Sequence, residues 1–190
     1  MNKELSNQEI ENALSHFQIK GEVKAFEHYG SGHINDTFLV KAERDYILQR
    51  MNTNIFKNAK ELMENVSLVC AFMEKEILKA GGDPEREGLR LVPTKEGKAY
   101  YEDEEDNFFR VYLFVERTKS YNLVEKPEHF YESARAFGHF QNLLASFPAE
   151  KLHETIPDFH NSVKRFARFK EVLEKDTFGR RTAKKRYSSF

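Results

Sequence analysis

Apolar residues recur along this chain with two alternating periods, and the switches between them mark out its elements. In "LSNQEIENALSHF", Ser6 and Glu9 have the spacing of a capping box, Leu5 and Ile10 that of a hydrophobic staple, and Leu14 and Phe17 continue one face. A short amphipathic helix follows from that pattern. From Val23 the period falls to two: "EVKAFEHYG", "DTFLVKA" and "DYILQRM" are strand-length runs separated by "GSGHIN" and "AERD". They predict a three-stranded antiparallel sheet. Asn58 then caps a second helix, with Glu61 three residues on and Leu62, Val66, Val69, Met73 and Ile77 on one stripe, until "AGGDP" ends it. "LRLVPT", "KAYYE" and "FFRVYLFVE" read as two or three further strands with polar turns at "TKEG" and "DEEDN". A polar connector, "RTKSYNLVEKPE", leads through a proline into a helix bearing Phe130, Ala134, Phe137, Phe140, Leu144 and Phe147. A last helix presents Val163, Phe166, Phe169 and Leu173. After Gly179 no apolar period is left.

Composition adds constraints to this outline. With 190 residues, 39% apolar and 32% charged, and with 17 Phe and 8 Tyr, the chain can bury a real core in one domain or two lobes and is not a disordered polymer. No apolar run approaches the roughly 18 residues of a bilayer span, and "MNKELSNQEIEN" is too polar for a signal peptide. The expected setting is the cytoplasm, without a membrane partner. The single cysteine, Cys70, has no internal disulfide partner and reads as a packed residue on the second helix. The net charge of −1 hides an asymmetry: from Lys164 to Phe190 there are ten Lys or Arg against three acids, a local excess of +7. A basic run including "KKR" can neutralise nucleic-acid phosphates, but it lacks a stacking platform and reads more simply as solvated surface. No nucleic-acid partner is expected. The seven histidines are scattered, and no His/Cys/Asp group has metal-ligand spacing.

The stretch with the most chemical interest is "HYGSGHINDTFLV", residues 28–40. Gly30, Ser31 and Gly32 can be a plain hairpin turn, with His33 and Asn35 stabilising it. Alternatively they are a loop whose glycines let backbone N–H groups approach phosphate oxygens. The letters of the loop alone favour the turn.

The loop "GSGHINDTFLV", together with "YILQRMN", "ELMENVSLV", "FFRVYLFVERTKSYNLV", "AFGHFQNLLASF" and "ETIPDFHNSVKRFARFK", resembles the N-terminal half of the N-acetylhexosamine 1-kinase family. That family belongs to the aminoglycoside phosphotransferase and choline kinase branch of the protein-kinase-like superfamily. The resemblance runs from about residue 8 to about residue 180. It implies an α+β fold: a kinase-like small lobe, with a five-stranded antiparallel sheet and one helix, then the first helices of a truncated large lobe. The lobes would divide into residues 1–117 and 118–190. It also tips the loop toward the phosphate cradle, with ATP as the nucleotide and Ser31, His33 and Asn35 as side-chain donors.

The resemblance further implies that the third strand places Ile47 against the adenine and puts Gln49 where the family carries a phosphate-binding lysine. Gln49 brings no charge, and Arg50 points to the opposite face of a regular strand. Glu61 already has a role as a cap and Glu64 lies on the solvent side, so no ordinary Lys–Glu pair is expected. "FFRVYLFVE" would run into a hinge where the backbone of Phe114, Val115 and Glu116 meets the adenine edge; Val111, Leu113 and Val115 serve equally as core residues on one strand face. Tyr121 and Asn122 would lie at the cleft mouth.

The family's catalytic and magnesium-binding aspartates sit in and after an H-x-D-x-x-x-x-N-type loop, and no His-x-Asp triplet occurs in these 190 residues. The expectation is therefore the nucleotide-binding part of a sugar kinase acting on the anomeric hydroxyl of an N-acetylhexosamine, inactive by itself, with no catalytic residue and no metal ligand in the chain. Mg²⁺ would be held by the part that follows, and the exposed aromatic helices invite a dimer. Two alternatives stay open: a phosphotransferase for an aminoglycoside, choline or homoserine-like acceptor, or a non-catalytic nucleotide-binding module.

Overall fold

The structure is a computed structural model that describes residues 4–179. The basic run beginning at Arg180 lies outside the described residues. By its contacts the chain forms two units, Met1–Thr155 and Ile156–Phe190. The division at residue 117 expected from the sequence falls inside the first of them.

The first unit opens with helix α1, Asn7–Ser15. Its capping box is complete: the Ser6 hydroxyl accepts from the Glu9 N–H, and the Glu9 carboxylate accepts from the Ser6 N–H at 2.7 Å. Strands β1 (Ala25–His28), β2 (Asp36–Lys41) and β3 (Asp45–Arg50) follow as an antiparallel meander. Helix α2 spans Ala59–Lys79; the Asn58 side chain caps it by accepting from the Glu61 N–H at 3.2 Å. It ends where Gly81 takes φ +76°, a left-handed conformation open to glycine. One turn of helix, α3 (Pro84–Glu87), then leads to β4 (Leu91–Val92), β5 (Tyr101–Glu102) and β6 (Phe108–Leu113). Five strands lie in the order β1-β2-β3-β6-β4, and the two-residue β5 pairs with the start of β6 beyond β4.

Alternation along β2, β3 and β6 gives the sheet two different faces. Phe38, Val40, Tyr46, Leu48, Phe109 and Val111 point to one face, where Ile10, Ala13, Leu14 and Phe17 from α1 and its exit close a core. Met51 and Phe108 point to the other and pack with Ala59 and Met63 of α2. Of the expected stripe, Ile77 is buried and Leu62 and Val66 pack half-buried against this core, with Val69 and Met73 also half-buried, while Ala59 and Met63 join Ile77 as the buried residues of α2. Leu62 and Met63 are adjacent and both apolar, so the helical period allows either.

Helix α4, Pro127–Leu143, starts with its proline in the first turn and buries none of its side chains. The chain after it returns to α2. Asn65 and the backbone of His153 exchange two hydrogen bonds of 2.9 Å, Phe72 meets Phe147 edge-on at 5.2 Å, and Glu64 pairs with His153 at 2.6 Å. Glu64, expected to be merely solvated, is thus an anchor for this return. The second unit carries helix α5, Ser162–Lys175, capped by Asn161, whose side chain accepts from the Lys164 N–H at 3.0 Å.

Candidate functional site

Residues 29–35 join β1 to β2 as an exposed loop, closed at its base by a 2.9 Å hydrogen bond from the Tyr29 N–H to the Thr37 carbonyl. Gly30 has φ +82°, which a side chain would strain, and neither Gly30 nor Gly32 has any atom within 4 Å of where a Cβ would stand. The glycines therefore leave open space beside the loop backbone, with no packing to account for them. Ser31 and His33 are exposed beside them. Asn35 is tied down: its side-chain carbonyl accepts from the Asn52 N–H at 3.0 Å, joining the start of β2 to the chain after β3.

Below the loop, three cross-strand rows cover the α2-facing side of the sheet. Thr37, Gln49 and Arg110 form the first, and Leu39, Ile47 and Tyr112 the second. The third ends at the chain leaving β6, where the Phe114 N–H donates to the Asp45 carbonyl at 3.0 Å. Gln49 and Ile47 therefore share a face, as the alternation requires, and Arg50 is on the other. Arg50 is 4% exposed and pairs with Asp36 at 2.6 Å. Gln49 is fixed on both sides: its amide donates to the Thr37 hydroxyl at 3.1 Å, and its carbonyl accepts from Arg110 Nε at 3.1 Å and Nη2 at 3.0 Å. Arg110 also lies against the Met63 sulfur at 3.8 Å and the Tyr112 ring at 5.1 Å. No carboxylate pairs with it among the described residues. Tyr112 is 5% exposed, and burial pushes its hydroxyl up to about 12 against the smaller opposing pull of Arg110. Burial likewise raises the Cys70 thiol. That thiol is half-buried on α2.

The chain after β6 forms the far wall. Phe114 and Val115 are half-buried and Glu116 is exposed. The Val115 carbonyl accepts from the Thr118 hydroxyl at 3.1 Å, and the Glu116 carbonyl from the Arg86 guanidinium of α3. Tyr29 and Phe114 meet edge-on at 5.6 Å, which links the loop to this wall. Tyr121 lies farther along the connector, its ring tilted against that of His129 at 4.3 Å, and the structure gives neither it nor Asn122 a contact with the loop. The residues brought together are thus the 30–35 loop, Ile47, Gln49 and Phe114. Tyr29, Thr37 and Arg110 join them and were missed from sequence. Arg110 was signalled, as the one charge inside the apolar run "FFRVYLF".

A separate cleft of about 370 Å³, between α1 and the segment preceding β1, is lined by Leu14, Phe17, Ile19, Val23 and Lys95 and contains none of these groups. Among the described residues no three His, Cys, Asp or Glu side chains converge as a metal site. No described helix is long and apolar enough to cross a membrane.

No family model matches the sequence. Among solved structures, the chain is similar to an aminoglycoside phosphotransferase from Alicyclobacillus acidocaldarius subsp. acidocaldarius DSM 446, at 14% identity and a TM-score of 0.59, over 95% of this chain and 46% of that one. A spectinomycin phosphotransferase solved with ADP and spectinomycin aligns with 65% of this chain and 34% of its own length, at 16% identity and a TM-score of 0.41, below the level at which a shared fold follows. The chain has the fold of a kinase-like small lobe with part of a large lobe, and it spans about half the length of the aminoglycoside phosphotransferase that it matches.

Proposed function

We propose that this chain is the nucleotide-holding part of an ATP-dependent small-molecule phosphotransferase. The observation that carries this is the open glycine loop set directly above the Thr37–Gln49–Arg110 row. The space beside Gly30 and Gly32 suits a polyphosphate that accepts from backbone N–H groups, with Ser31 and His33 free to add donors. Asn35 can offer only its amide NH₂, because its carbonyl is committed to Asn52. Ile47 and Leu39 supply an apolar floor, and Phe114, Val115 and Glu116 the edge for an adenine ring. On this reading residues 1–117 form the nucleotide lobe, and the connector from 118 begins the acceptor side.

Magnesium would arrive with the nucleotide, as the sequence resemblance implies. The bound nucleotide would supply the γ-phosphoryl group, while this chain's residues bind and orient it. The sequence holds no His-x-Asp triplet to deprotonate an acceptor, so the chain alone binds without transferring. For the acceptor we favour the anomeric hydroxyl of an N-acetylhexosamine, on the strength of the sequence resemblance. An aminoglycoside acceptor is the second reading, supported by the name of the matched structure.

Calorimetric titration of the chain with Mg-ATP, beside the Gly30→Val/Gly32→Val variant, tests the proposal. Heat of binding that the variant loses is the expected result. Equal binding by both folded proteins would sink the loop assignment.

A further inference from the structure

Arg110 raises a question that its packing leaves open. Its guanidinium is half-buried, yet its partners are an amide oxygen, a thioether and a phenol ring, all formally uncharged. A cation withdrawn from water is costly unless it is paired and hydrogen-bonded, and a guanidinium is built to be completed by a carboxylate or a phosphate. Arg50, one residue along the neighbouring ladder and on the opposite face, has its carboxylate in Asp36. Arg110 has none among the described residues.

Register shows where an anion would have to come from. Tyr29 is bonded to Thr37, Thr37 is paired with Gln49, and Gln49 with Arg110. One row therefore runs from the base of the glycine loop to the guanidinium, with neighbouring strands about 4.8 Å apart. Gln49 accepts from Nε and Nη2 at once, which fixes the plane of the guanidinium and directs its remaining N–H groups away from Gln49.

We propose that Arg110, oriented by Gln49, binds the phosphate arm of the nucleotide held by the glycine loop. The inference rests on the nucleotide-binding reading above. It assigns the positive charge of this row to β6, where β3 contributes the neutral Gln49. Gln49 is a positioning residue, and Thr37 holds its amide in the correct sense.

The test compares Mg-ATP with adenosine, which shares the base and sugar but lacks the phosphates, on wild type, Arg110→Gln and Gln49→Glu, with thermal melts as a folding control. Gln49→Glu keeps the shape of the row but places a carboxylate on Arg110, satisfying the cation internally. Both variants should bind Mg-ATP about 10- to 100-fold more weakly while adenosine binding is unchanged, and Gln49→Glu should melt no lower than wild type. If Arg110→Gln fails to fold, Gln49→Glu alone decides. Undiminished Mg-ATP binding by a folded Gln49→Glu protein, with binding still lost in Gly30→Val/Gly32→Val, would overturn the assignment and leave the nucleotide reading standing. A wild type that binds neither ligand, or both equally, would remove that reading and the Arg110 assignment with it.

Discussion

Arg50 and Arg110 occupy adjacent cross-strand rows and opposite faces of one sheet, and the difference in their partners separates structure from function. Arg50, 4% exposed and paired to Asp36, holds the two strand ends together. Asp36→Ala should lower stability by about 2–3 kcal/mol in urea denaturation, because it strips the carboxylate from a buried guanidinium. The Tyr112 phenol, neutral and buried beside Arg110, has its own signature. Its folded value of about 12 lies above the ordinary 10.0, so the native state holds this proton more tightly than the unfolded chain. That contribution is complete below pH 10 and is lost as pH rises from 10 to 12, amounting to roughly 2–3 kcal/mol. Tyr112→Phe should flatten the alkaline limb of the stability–pH curve; an unchanged limb would show that another group causes it. At this scale the sequence was informative about faces: strand alternation alone separated Gln49 from Arg50. It marked Arg110 as a charge in an apolar run but not its partner, since the pairing of β3 with β6 joins residues 61 positions apart and no local pattern reports it.

Elements were legible wherever local signals agreed. Ser6 with Glu9 and Asn58 with Glu61 each fixed a helix start, because a cap satisfies N–H groups that the helix cannot, and the proline opening α4 fixed another because its φ suits a first turn that needs no N–H from it. The buried side of α2 was less legible, since its sequence is apolar over more than half a turn and the sheet beneath chose the face. Met63→Ala should therefore cost about 2–4 kcal/mol and Val69→Ala clearly less, read as shifts in denaturation midpoint. The reverse order would restore the stripe expected from periodicity. The short β4 and β5 and the single turn α3 carry too few residues to show a period at all. The site follows the same division. The glycine loop and β3 were readable as motifs, whereas Tyr29 and Thr37 became relevant only through the hairpin and its register.

At the scale of the molecule, the first unit has two cores, one on each sheet face, while α4 leaves Phe130, Tyr131 and Phe137 each about two-thirds exposed. Exposed aromatic clusters of this kind favour association, and we propose that this one does. Sedimentation at high concentration should show a dimer, and Phe130→Ser/Phe137→Ser should remain monomeric; a wild type monomeric throughout would count against self-association. Amide shift mapping during addition of Mg-ATP to the labelled chain is the decisive test of a nucleotide site on the α2-facing side of the sheet. Shifts should concentrate at Gly30–Asn35, Ile47, Gln49, Arg110 and Phe114–Glu116, with the cleft beside α1 undisturbed. Shifts gathered around Leu14, Phe17 and Val23 instead, with the glycine loop unmoved, would contradict it.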